Sequence, residues 1–146
     1  MPPGRARTAG PDDRGLLVDW QTAFRREVHK SPDPGPDEVG DRLGYGGFTL
    51  WEAGGRAVSM AGVSRAVAGM VRVGPVYTPP EHRGLGYAGA VTATVSRAAL
   101  DAGACEVVLF TDLANPVSNA LYRRIGYQPV SDRSVLSFTP AGLGAP

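Results

Sequence analysis

The segment Arg83-Gly84-Leu85-Gly86-Tyr87-Ala88 carries the most evident chemistry in the sequence. Glycines let a backbone approach a ligand closely. At the start of a helix the free amides point outward and carry partial positive charge, which suits an anion such as a pyrophosphate. The plainer reading is that Gly86, Gly89 and Ala90 are small so that a helix can lie close to a sheet. Gly84 to Gly89 also matches Gly-x-Gly-x-x-Gly, but the context excludes a dinucleotide fold. That motif needs a strand running straight into its first glycine and an acid about 20 residues on, at the end of the next strand. Here Pro79-Pro80-Glu81-His82-Arg83 intervenes, and Glu106 falls at a strand beginning. No Gly-Lys-Ser/Thr follows, so a Walker A loop is excluded as well.

A second constellation is Asn115-Pro-Val-Ser118-Asn119-Ala-Leu121-Tyr122-Arg-Arg-Ile125-Gly126-Tyr127. Asn as N-cap, Pro at the first helical position and Gly as the stop define a short helix. Val117, Leu121 and Ile125 share an apolar face, with Asn115, Ser118 and Tyr122 on a neighbouring polar one. That polar stripe is a candidate site wall. Its plainer reading is a capping Asn115 and a packed Tyr122.

Together the two segments resemble the GNAT N-acetyltransferase superfamily. The first resembles its cofactor motif Arg/Gln-x-x-Gly-x-Gly/Ala, preceded here by Thr78-x-Pro80; the second resembles its Asn-x-x-Ala/Ser-x-x-x-Tyr motif, ending in Gly-Tyr. The resemblance covers Gly69 to Phe138 well and the N-terminal part in outline. It implies an acetyl-CoA-dependent enzyme that acetylates a small-molecule or peptide amine by direct attack in a ternary complex, without a metal. It implies pantetheine pairing along Val76, Tyr77 and Thr78, and pyrophosphate on the amides of Arg83, Gly84, Leu85, Gly86, Tyr87 and Ala88, with a further contact from the Arg83 guanidinium. The Val76 N–H becomes the oxyanion donor, an interaction of about 3–4 kcal/mol. Asn115 and Ser118 bond the pantetheine arm, and Asn119 and Tyr122 join the cofactor set. Tyr122 is the general acid, since a phenol with a reference pKa near 10 is protonated at neutral pH.

The general base is the open element. Glu52, on an early strand, is the family-like candidate, beside Tyr77 and Glu81; its plainer reading is an exposed hairpin residue. A CoA-binding sensor or degenerate module without turnover is the competing function. The acceptor site falls to segment 31–45 and the turn 131–133, which carry no diagnostic pattern.

These residues need elements to hold them. Leu16, Leu17, Trp20, Phe24 and Val28 fall at helical spacing after Pro11-Asp12-Asp13. Pro36-Asp37-Glu38 opens a shorter helix reaching Leu43. Phe48 to Glu52 and Ala57 to Val63 read as strands joined by a Gly54-Gly55 hairpin turn. Met70 to Thr78 reads as a strand with a bulge at Gly74-Pro75. A helix follows from Gly84 to Ala102, with Ala88, Val91, Val95, Ala98 and Ala102 as its apolar stripe. Cys105 to Phe110 suits a central strand buried on both faces, with Cys105 itself inert and buried. Tyr127 to Val130 and Ser134 to Phe138 close the chain. The sum is a mixed α/β domain: antiparallel strands first, then one right-handed parallel β-α-β crossover with splayed strands.

The 146 residues suffice for a single domain, placed at 12–139, with loose ends at 1–11 and 140–146. Arg5 to Ala9 is short and poor in large apolar residues, so a convincing first strand is missing; a catalytic half of a longer protein is one explanation. A net charge of +1 gives no basic excess for nucleic acid or membranes. With one cysteine and no apolar leader, the chain reads as reduced and cytoplasmic. A homodimer is left open.

Overall fold

The computed structural model describes residues 2–28, 38–110, 116–129 and 135–138. Its strands are β1 (Arg5–Thr8), β2 (Phe48–Ala53), β3 (Arg56–Val63), β4 (Met70–Tyr77), β5 (Glu106–Phe110), β6 (Tyr127–Pro129) and β7 (Val135–Phe138). They form one sheet in the order β1-β2-β3-β4-β5-β7-β6. Every neighbouring pair is antiparallel except β4 and β5, which are parallel. The helices are α1 (Arg14–Val28), α2 (Glu38–Gly44), α3 (Tyr87–Asp101) and α4 (Pro116–Arg124).

The sheet has a buried cluster on each face. Val91 and Val95 of α3 pack with Trp51, Val73, Val107, Leu109 and Tyr127. Leu17 of α1 and Val39 of α2 pack with Phe48, Leu50, Met60 and Tyr77. Burial of each such side chain contributes about 1.5–3 kcal/mol. Along β5, Val107 and Leu109 join the first cluster, and Val108 is buried between them in sequence. Alternate residues point to opposite faces, so β5 is covered on both sides, as its apolar run predicts. Gly54 and Gly55 both take positive φ, the requirement of a two-residue hairpin turn.

Four details differ from the sequence reading. Where no convincing first strand is evident in sequence, Arg5–Thr8 pairs with β2 at the sheet edge. The segment is fixed by polar contacts: Arg7 bonds Asp13 and Glu52, and Trp51 Nε1 donates to the Pro3 carbonyl. The long helix begins at Tyr87, because Gly84 to Gly86 form a loop of their own. Its buried face is Gly89, Ala90, Val91, Thr92, Val95 and Ser96, whereas Ala98 and Ala102 are exposed. Cys105 is exposed just before β5 rather than buried.

Candidate functional site

Among the described residues the parallel register of β4 and β5 runs from Met70↔Glu106 to Val73↔Leu109; β5 is described to Phe110, and β4 continues to Tyr77. On the other side of β4, Ala61 faces Val76 and Val63 faces Val73, so two steps on β3 meet three on β4. The extra residue lies at Gly74-Pro75, whose peptide is cis. Proline has no N–H for the ladder, so a bulge is the conformation that suits it. The carbonyl of Gly74 accepts a bond from Nη1 of Arg42 on α2.

Beyond the bulge one edge of the backbone is tethered to β3. The Tyr77 carbonyl accepts from Ser59 Oγ at 3.2 Å, which turns it toward β3. The N–H and C=O of one residue share a strand edge, and those of the next residue take the other edge. The Val76 N–H therefore faces away from β3, toward the β5 side. The end of the strand is held by the buried pair Ser59 Oγ and Thr78 Oγ1, 2.7 Å apart.

The glycine loop follows at once. A single 3-10 turn, Pro80–His82, leads to Gly84 at φ 80° and Gly86 at φ 87°, conformations that a side chain would strain. Gly86 caps α3, and the first helical bond runs from Ala90 N to Gly86 O. The amides of the first turn of a helix have no partner within it, so those of Tyr87 to Gly89 are available to an anion. The Arg83 amide instead bonds the Pro80 carbonyl at 3.3 Å. The Arg83 side chain turns back, with Nε donating to Thr78 O at 2.8 Å and Cζ 5.6 Å from the Tyr77 ring centre. Leu85 is exposed, and Tyr87 lies edge-on to His82. A Cβ added at Gly86 would lie 3.7 Å from Pro2, so the start of the chain borders the loop.

Gly89 serves packing rather than the loop. A Cβ there would come within 2.9 Å of Leu121 Cδ1, so α4 rests directly on the first turn of α3. That contact sets Tyr122 at the rim of the α3-side core, with its ring 6.1 Å from that of Tyr127 and close to perpendicular. Burial pushes the Tyr122 phenol above its ordinary range. Tyr127 is likewise pushed up by burial, although its hydrogen bond with Ser96 works the other way. Asn115, Thr111 and the turn 131–133 lie outside the described residues, as do the side chains of Ser118 and Asn119.

Glu52 sits elsewhere. Its Oε2 accepts from Arg7 Nε at 2.9 Å, and the same guanidinium holds both oxygens of Asp13. Glu52 pairs with Ala57, whereas Val76 pairs with Ala61 two strands away from β2. At the usual spacings this separates their backbones by roughly 15 Å. Tyr77 is buried against Trp20, with ring centres 6.1 Å apart, and Glu81 is exposed. The structure thus brings Val76, Thr78, Arg83 and the loop glycines together and leaves Glu52 at the edge-strand ion cluster. Ser59 and Arg42 escaped the sequence reading. For Ser59 a signal exists, a hydroxyl inside the apolar run Ala57 to Val63.

The acetyltransferase (GNAT) family model matches residues 15–127. Among solved structures, a GNAT-family acetyltransferase from Brucella melitensis, in complex with acetyl-CoA, is 22% identical. The match covers 97% of this chain and 90% of that one, at a TM-score of 0.71. YncA, a putative acetyltransferase from Salmonella typhimurium with its cofactor acetyl-CoA, is 16% identical over 97% and 96% of the two chains, at 0.74. The PaiA N-acetyltransferase from Thermoplasma acidophilum, in complex with coenzyme A, is 12% identical over 92% and 98%, at 0.71. Among curated proteins none matches this sequence.

Proposed function

The chain belongs to the GNAT acetyltransferase family, and from that premise we propose that it transfers acetyl from acetyl-CoA to a primary amine by direct attack. The observation that carries this reading is the end of the described β4–β5 register at Val73↔Leu109, with the bulge at Gly74-Pro75 and the glycine loop following at once. That geometry supplies a strand edge for an amide-bearing arm and a helix start for a pyrophosphate a few residues later. Acetyl-CoA has both groups, and the solved relatives named above were crystallised with it or with CoA.

In this reading the residues divide the work. Val76 to Thr78 align the pantetheine, and the Val76 N–H stabilises the oxyanion formed when the amine attacks the thioester carbonyl. The first-turn amides of α3 hold the pyrophosphate. Tyr122 protonates the departing thiolate, and its burial keeps the phenol in the acid form that this role needs. Asn115, Ser118 and Asn119 line the arm. Glu52 does not reach the thioester and stands as a counter-ion for Arg7.

The test is a thermal shift with acetyl-CoA, followed by CoA release across a panel of amines. Binding with release supports the transferase. Binding without release from any amine favours a CoA-binding module instead. Gly86→Asp puts a charged side chain where the pyrophosphate belongs; unchanged affinity in that variant would refute the loop assignment.

A further inference from the structure

Arg42 is a half-buried cation on α2, and among the residues whose side chains are described no carboxylate pairs with it. Its Nη1 is fixed on Gly74 O, and its Cζ lies 5.5 Å from the centre of the Phe48 ring, a fully buried side chain. The guanidinium is thus held by its neighbours and partly desolvated by an aromatic face. One bond to a neutral carbonyl uses one of its five N–H donors and none of its charge. A guanidinium so placed has a strong preference for a planar anion that takes two parallel bonds. Its place in the fold matters as much. Gly74 is the bulge residue, and Val76, whose N–H faces away from β3, is two residues further on. Two residues of strand span about 6–7 Å.

We propose that the acceptor amine carries a carboxylate and that Arg42 receives it. This rests on the transferase reading above and narrows its substrate to a class. The short reach from Gly74 to Val76 requires the amine and the carboxylate to lie a few bonds apart, as in a free amino acid. A polyamine brings no anion to Arg42, and the N-terminus of a peptide has its carboxylate too far away.

Matched acceptors test this directly: free amino acids, the corresponding amino-acid amides, and simple alkylamines, with CoA release as readout. The acids should be preferred over their amides by about 10–100-fold in kcat/KM, the range of a charge-assisted bond. Arg42→Gln can still bond Gly74 O but has no charge, and it should abolish that preference, chiefly through KM. Arg42→Lys should restore part of it. Equal use of acid and amide by the parent protein would overturn the proposal. So would an Arg42→Gln variant that loses activity on both by the same factor, because Arg42 would then only brace the bulge. Binding gives an independent readout. With CoA present, amino acids should raise the melting temperature of the parent protein above the effect of their amides, and Arg42→Gln should remove the difference. Failure of every amine to release CoA would sink the transferase reading, while this binding contrast would still decide for or against Arg42.

Discussion

Arg83 reaches back from the glycine loop and donates through Nε to the carbonyl of Thr78 at 2.8 Å. The same Thr78 is tied through its hydroxyl to Ser59 on the adjacent strand. The loop is therefore latched to the strand end that precedes it, and the two halves of the proposed cofactor site are held in fixed relation. Arg83→Met removes the latch without shortening the side chain much. Affinity for acetyl-CoA should fall about tenfold, the loss of one charge-assisted bond. Arg83→Lys should resemble Arg83→Met, because an ammonium cannot reproduce the in-plane Nε–H. Calorimetric titration of the three proteins decides this, and full affinity in Arg83→Met would rule the latch out.

Tyr122→Phe keeps the ring that packs on Tyr127 and removes only the proton donor. Acetyl-CoA affinity should change little, because a thioester sulfur accepts hydrogen bonds poorly. Turnover under conditions where chemistry limits the rate should fall by roughly 10²–10⁴. Burial raises the Tyr122 phenol, so any alkaline limb that it sets in the pH–rate profile of the parent must lie above pH 10, and the variant should lack it. Full turnover in Tyr122→Phe would make Tyr122 a packing residue.

Thr92 on α3 is fully buried, and its Oγ1 has no hydrogen-bond partner among the described residues. Thr92→Val has nearly the same shape and removes the orphan hydroxyl. The variant should be more stable by about 1 kcal/mol, the low end of the cost of a buried unsatisfied polar group. Urea unfolding measures it, and a variant less stable than the parent would mean that the hydroxyl has a partner in solution.

The Arg7 guanidinium holds the Asp13 carboxyl below its ordinary value of 3.8, with a further bond from the Gly10 amide in the same direction. A depressed carboxyl contributes stability that is present above the unfolded value and is lost as pH falls through the folded one. Asp13→Asn should therefore destabilise the protein by about 1 kcal/mol at pH 7, an exposed-pair magnitude, and by progressively less below pH 4. Unfolding midpoints at pH 7, 5 and 3 should show the two proteins converging; a constant gap would assign the effect to the cap hydrogen bond alone.

Much of this architecture is written locally. The pair Gly54-Gly55, the proline in Gly74-Pro75 and the apolar run before Phe110 each fix a conformation through their own backbone or burial demands. The parts that escaped depend on partners far along the chain. β1 has little apolar content to announce it, and it is held by Arg7 across 45 residues to Glu52. The buried face of α3 is displaced from the stripe of small apolar residues because Ser96 satisfies its hydroxyl on Thr92 O and Tyr127, so a polar residue lies inside at little cost. Arg42 and Ser59 likewise act on a strand that lies elsewhere in the sequence. The cofactor motif was legible because backbone geometry and residue type coincide there. The proposed acceptor side was not, because its residues on α2 and β4 come together only on folding.

The position of Pro2 beside Gly86 has a practical consequence for handling the protein. An affinity tag or solubility partner fused at the N-terminus would follow closely on Pro2, which borders the start of α3. A polyhistidine tag carries imidazoles that gain positive charge below about pH 6.5 and can associate with the phosphates proposed to bind there. Affinities for CoA measured on such a fusion would then include the tag, with a pH dependence foreign to the protein. Cleaving the tag before titration, and comparing the two forms at pH 6 and pH 8, separates the contributions.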